Sequence, residues 1–250
     1  MSTPTRDPSQ SPLLSAAGLA LRNTIRQSGI TCAVCTTPVN GFARCWRCER
    51  SRSLPGLADM VAPLSYAIAG TPSAALLYDY KNHPARCVRE SAGERVKELA
   101  LQGVIRHERC LGRGAGIPVS RRLVIPSLTS RPGRHPFAAL VDTLTSADPA
   151  ALVPVPDAWC DRAVNDKFAL QPAIRLNGQH VLILDDVWTT GSNAQSAVLA
   201  VRRAGAAAVS VLVVGRWLSP RRRLIDEFVA TRLTRVYDPG ICPVTGGRCP

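Results

Sequence analysis

The run Val181-Leu182-Ile183-Leu184-Asp185-Asp186-Val187-Trp188-Thr189-Thr190-Gly191-Ser192-Asn193 constrains this chain more than any other stretch. Four consecutive aliphatic residues suit a strand covered on both faces in a parallel sheet, and such sheets bind ligands at the carboxyl ends of their strands. The strand is expected to stop at Asp185 and Asp186. Successive side chains of an extended segment alternate, so one carboxylate can face a ligand while the other orients it or lies near magnesium. Two neighbouring ribose hydroxyls are natural partners for a carboxylate. The hydroxyls and backbone amides of Thr189, Thr190, Gly191 and Ser192 then stand where an alanine-rich helix begins, which suits a phosphate. Glycine in that turn lets the backbone come close to the ligand.

Other phosphate motifs fit less well. A P-loop needs a Gly-Lys-Ser/Thr ending, and the chain has no Gly-Lys pair. Gly112, Gly114 and Gly116 miss the G-x-G-x-x-G spacing of a dinucleotide fold and follow no strand pattern. Position by position, residues 181–193 resemble the 5-phosphoribosyl 1-pyrophosphate (PRPP) motif of type I phosphoribosyltransferases, in which hydrophobic residues precede two acidic residues and a Thr-Thr-Gly turn.

Near the N-terminus, Cys32-Ala-Val-Cys35 and Cys45-Trp-Arg-Cys48 form two C-x2-C knuckles. Two such knuckles can present four sulfurs tetrahedrally to zinc. Asn40-Gly41, between Val39 and Phe42, reads as the hairpin turn that brings them together. A redox pair is the rival reading, but two pairs around a hairpin favour structural metal. Four closed ligands leave no open position for catalysis. Four thiolates on one zinc ion would leave a site of net charge about −2. Of the other cysteines, Cys87, Cys110 and Cys160 read as small buried residues. Cys242 and Cys249 bracket a terminal loop and could form a disulfide, join another metal ligand or be incidental.

The 250 residues allow one medium catalytic domain with a small attachment. Four segments are expected. Residues 1–28 form a mobile leader with a short helix at 13–25, and 29–55 a zinc-finger module. Residues 56–220 form the main domain, and 221–250 a C-terminal helix with a cysteine-containing tail. The N-terminal segment lacks the basic run and continuous apolar core of a signal peptide, and no stretch approaches the length of a membrane span. A cytoplasmic location is therefore expected.

The formal charge is +13, and all but three of the 31 basic residues are arginine. The planar guanidinium matches phosphate, so this excess favours phosphorylated ligands or nucleic acid, although coding bias and a solvated surface account for it too. Arg44, Arg47, Arg50 and Arg52 cluster around the second knuckle, and Arg113, Arg121, Arg122, Arg131 and Arg134 lie in a stretch without acidic residues. Helical patterns cover 72–80, 86–106, 137–144 and the stretch from Ser192, with another helix opening at Ser219-Pro220. Strand patterns cover 122–126, 181–184 and 207–215, and 152–155 reads as strand or loop. The resulting fold class is α/β with a mostly parallel sheet.

The order of motifs resembles the ComF family, competence-associated proteins in which a four-cysteine zinc finger precedes a type I phosphoribosyltransferase domain. The likeness spans residues 32–217. Tyr80-Lys81 looks like the Lys-Tyr element after the family's first helix, and Arg162-x-x-Asn165-x-x-Phe168 like its R-x-x-N-x-x-F segment. Arg131-Pro-Gly-Arg134-His-Pro-Phe137 stands in place of an R-G-F-N-Q element but lacks the Asn-Gln ending.

The resemblance implies a type I phosphoribosyltransferase fold in which a nitrogenous acceptor displaces pyrophosphate from magnesium-bound PRPP. It implies that Asp185 and Asp186 hold the ribose hydroxyls, and that Val187, Thr189, Thr190, Gly191 and Ser192 form the phosphate-binding turn. Lys81, Arg131 and Arg134 then meet pyrophosphate, while Arg162 and Asn165 sit on a closing loop. The acceptor is not legible, and no histidine among His83, His107, His135 and His180 stands out as a general base. The competing expectation is a binding protein without turnover, a PRPP sensor or a nucleic-acid-associated accessory factor of the competence machinery.

Overall fold

The computed structural model describes residues 21–128, 134–146, 150–156 and 162–250. Arg131, Cys160 and residues 1–20 of the segment expected at 1–28 lie outside the described residues. Residues 21–25 are extended rather than helical, and Asn23 bridges to Ser65.

The central sheet has four parallel strands: β1 (Met60–Ile68), β2 (Val119–Val124), β5 (His180–Trp188) and β6 (Ala208–Leu218), in the order β1-β6-β5-β2. Between β1 and β2 run helices α2 (Pro72–Asn82) and α3 (Arg86–Ala115), and α5 (Ser192–Arg203) connects β5 to β6. A separate antiparallel pair is formed by β3 (Ala151–Pro154) and β4 (Phe168–Gln171). Short helices α1 (Trp46–Arg50) and α4 (Pro136–Leu140) and the final α6 (Arg223–Arg232) complete the described elements, with a single 3-10 turn at Asp142–Leu144.

The aliphatic run of β5 is covered on both faces, as its sequence predicts. Val181 and Ile183 join a core with Ala197, Val198 and Val201 of α5, whereas Leu182 and Leu184 join another with Val96 and Leu99 of α3. Period-two alternation therefore ties both helical layers to one strand. The strand does not end at the acidic pair. It continues through Asp185 and Asp186 to Trp188, because β6 continues beside it and pairs Asp185 with Val213 and Trp188 with Arg216. The βαβ unit over β5, α5 and β6 is as expected, but the next helix opens at Arg223 instead of Ser219-Pro220.

The cysteine module is built differently from the expected hairpin. Its antiparallel contacts pair the segment before the first knuckle with the segment after it: the Cys32 amide donates to Thr37 O (2.8 Å), Val39 to Ile30 O (2.8 Å) and Gly41 to Gly29 O (2.8 Å). The turn of this ribbon is the knuckle itself, and Asn40-Gly41 lies at its open end. Cys32, Cys35 and Val39 belong to the same buried core as Val181 and Ile183, so the module rests on the sheet.

Candidate functional site

The acidic pair emerges where β5 leaves the core, and alternation sends its two carboxylates into different surroundings. Asp186 is buried and receives hydrogen bonds from the Tyr80 hydroxyl and from Lys81 Nζ, both at the end of α2. Asp185 is half-buried, with its Oδ1 accepting from the Asp186 amide at 3.0 Å. Burial first, and the neighbouring Asp186 carboxylate second, push the Asp185 carboxyl up to about 8. Lys81 opposes that rise with its positive charge.

The turn after the strand is shaped by Gly191. Its φ of +82° is left-handed, and a Cβ there would lie 2.1 Å from the Trp188 ring, so both backbone and packing require glycine. Beyond it, Thr190 and Ser192 hydroxyls lie 3.0 Å apart, and the Ser192 amide donates to Thr190 Oγ1 at 3.3 Å. Helix α5 starts at Ser192 behind Gly191, which has no side chain to cap it, so the positive end of its dipole lies at this turn.

These pieces enclose one cleft of about 250 Å³, lined by Lys81, Asp185, Asp186, Val187, Thr189, Thr190, Gly191 and Ser192, with Ser127 and His135 also in the lining. The structure thus brings together eight of the residues selected from sequence. Arg134 and Arg162 do not join them. Arg134 is exposed and ion-paired with Asp142. Arg162 lines a neighbouring groove with Trp46, Arg47, Arg50, Thr190 and Ser192. Asn165 is held through its backbone, whose amide donates to Ser196 Oγ at 3.1 Å.

Three contributors escape a reading of the sequence alone. His135 supplies an imidazole to the cleft wall. Lys167 is 1% exposed, and its Nζ donates to Asn193 Oδ1 at 3.2 Å, beside the first turn of α5. Arg216 is buried on β6 and its Nη1 donates to the Trp188 and Thr189 carbonyls at 2.7 and 3.0 Å, while its Nε donates to Thr37 Oγ1 at 3.0 Å. One guanidinium thus fastens the turn after β5 to the cysteine ribbon. Nothing local in the sequence marks Arg216, because the groups it ties together, at Thr37, Trp188 and Thr189, are 27 to 179 residues away.

In the cysteine module, the sulfurs of Cys32, Cys35, Cys45 and Cys48 all lie within 4.8 Å of one another, and those of Cys35 and Cys45 are 3.7 Å apart. Tetrahedral ligands at a zinc–sulfur distance of about 2.3 Å sit roughly 3.8 Å from each other, so the set fits a zinc-sized ion. Hydrogen bonding with Cys32 holds the Cys35 thiol well below its usual range and pushes Cys45 and Cys48 above theirs. Four crowded thiols must therefore share protons unless a cation neutralises them.

The surface is less uniformly basic than composition suggests. Arg122 pairs with Glu108, and Arg44 and Arg52 with Glu49. Cys87 is exposed, contrary to the buried reading, because it lies on the outer side of α3's first turn; Cys110 is buried as expected. Among the described residues, no helix is long and apolar enough to cross a membrane. Comparison with protein-family models and with curated proteins gives no match.

Proposed function

We propose that the protein binds PRPP with magnesium in the β5–α5 cleft and transfers the phosphoribosyl group to a nitrogenous acceptor, releasing pyrophosphate. The observation that carries this reading is the convergence of Asp185 and Asp186 with the Thr190-Gly191-Ser192 turn and the start of α5 in one cleft. Carboxylates suited to ribose hydroxyls thus stand beside amides suited to a phosphate. The resemblance of the same residues to the type I phosphoribosyltransferase motif supports it, as does the parallel α/β architecture.

In this reading Asp185 and Asp186 hold the ribose, and Thr189, Thr190, Gly191 and Ser192 hold the 5-phosphate. Oxygen donors of this kind suit magnesium, which when bound with PRPP offsets the charge of the leaving pyrophosphate. Lys81 adds positive charge at the cleft wall. In this reading His135, which lines the cleft, takes a proton from an attacking nitrogen. Arg162 faces the adjoining groove, from which an acceptor can reach the turn.

Incubation with PRPP, magnesium and a panel of bases and amines tests turnover. Pyrophosphate release that rises with one acceptor, and falls at least about a hundredfold in Asp185→Asn/Asp186→Asn, is expected. PRPP binding with no release across the panel would favour a sensor. A nucleic-acid role has one observation in its favour: Trp46 is 67% exposed, with the Arg47 and Arg50 guanidiniums 6.0 and 5.3 Å from its ring. Salt-dependent retention of single-stranded DNA that is lost in Trp46→Ala would support it.

A further inference from the structure

We propose that His107, Cys110, Cys242 and Cys249 form a second structural zinc site, a centre of three thiolates and one imidazole that clamps the C-terminal tail to the long helix α3. The four come from two distant parts of the chain. His107 and Cys110 are three residues apart on α3 and therefore share one helical face, while Cys242 and Cys249 lie on the tail beyond α6. Their ligand atoms all lie within 4.8 Å of one another, the same closeness as the first cysteine set. His107, Cys110 and Cys242 are buried, and only Cys249 reaches the surface.

The imidazole is oriented for a metal. His107 Nε2 lies 2.9 Å from the Pro239 carbonyl oxygen, which accepts only from a protonated nitrogen. That bond places the proton on Nε2 and turns the Nδ1 lone pair towards the sulfurs, with Cys249 Sγ at 3.4 Å. A ring nitrogen hydrogen-bonded to a backbone carbonyl while its partner faces the ligand set is the usual support of a metal-bound histidine. The tail is folded to match. The Cys242 amide donates to Gly247 O and the Gly246 amide to Cys242 O, both at 2.8 Å, and Gly246 has a φ of +80°. This tight loop presents Cys242 and Cys249 to the same point.

Soft thiolates with one imidazole in a closed tetrahedral set select zinc, and leave no position for a substrate. On binding, zinc takes the lone pairs of three sulfurs and Nδ1, and the three thiol protons pass to solvent. The clamp also reaches the first module. Tail residues Tyr237 and Asp238 hydrogen-bond to Leu21 and Asn23, and Arg26 donates to the Pro243 carbonyl and to the Ala33 carbonyl inside the first knuckle.

Metal content of the full chain, purified under reducing conditions, tests this site. About two zinc ions per chain are expected in the wild type. About one is expected in Cys249→Ser, whose exposed position spares the core, and about one in Cys45→Ser/Cys48→Ser. Cobalt loaded into the latter variant should give the visible spectrum of a tetrahedral centre with three sulfur ligands and one nitrogen, lost on adding His107→Gln. One zinc in the wild type, with Cys249→Ser unchanged, would overturn the proposal. So would a chain two hydrogens lighter with no second metal, the bridge being mapped by peptide digestion to a pair among Cys110, Cys242 and Cys249, since those sulfurs would then be a disulfide.

Discussion

Asp185 and Asp186 are adjacent in sequence yet differ in surroundings, because an extended backbone turns neighbouring side chains to opposite sides. Asp186 accepts from the Tyr80 hydroxyl and pairs with Lys81, whereas burial and the Asp186 carboxylate disfavour charge on Asp185. The folded state therefore holds the Asp185 proton to a higher pH than the unfolded chain does. Its contribution to stability is fully present below the ordinary carboxylate range near pH 4, and is lost as pH rises through about 8. Asp185→Asn, which cannot ionise, should stabilise the ligand-free protein at pH 8 to 9. The expected gain is on the order of 1 kcal/mol, or about 2–4 °C in Tm, shrinking towards pH 5. Thermal melts across that pH range measure it, and a variant less stable than wild type at pH 9 would contradict the assignment. The two carboxylates and the turn after them are legible in sequence because that chemistry is local. Arg216 and His107 are not, since each acquires its role from residues far along the chain.

Strand β5 shows what sequence pattern reveals well: an unbroken aliphatic run covered on both faces. Strand β1 shows what it conceals. Met60–Ile68 carries Pro63 and Ser65 and does not read as a strand, yet it pairs with β6 at the edge of the sheet, where a proline costs least. Ser65 is satisfied by donating to Val214 O at 2.8 Å, and Thr24 donates to Pro63 O at 2.6 Å. The expected end of β5 falls too early for a related reason. Two carboxylates read as a stop, but the pairing of β6 carries the ladder past them. Arg216, near the end of β6, locks the resulting turn by donating to Trp188 and Thr189. Arg216→Ala removes these charge-assisted bonds and should cost about 2–4 kcal/mol by urea denaturation. Arg216→Lys should recover less than half of that, because an ammonium lacks the fork to span the turn and Thr37.

The fold joins a parallel α/β sheet, a four-cysteine ribbon resting on one of its faces, and a tail packed against α3. The order of these parts follows from the sequence. Their mutual contacts do not, because hydrophobic periodicity says which face of an element is buried but not which element covers it. The cysteine ribbon shares its core with β5 and shares Arg216 with the turn after β5, so it braces the cleft as well as its own loops. The cleft itself is assembled from the ends of β5 and α2 and the start of α5, so its ligand should bind only to the folded sheet. Calorimetric titration of PRPP in the presence of magnesium measures that directly. Saturable one-to-one binding to the wild type is expected. Asp185→Asn/Asp186→Asn, shown by circular dichroism to be folded, should lose at least about tenfold in affinity, or roughly 1.4 kcal/mol. Equal affinity in the two proteins, or no heat of binding in the wild type, would contradict the assignment of this cleft to PRPP.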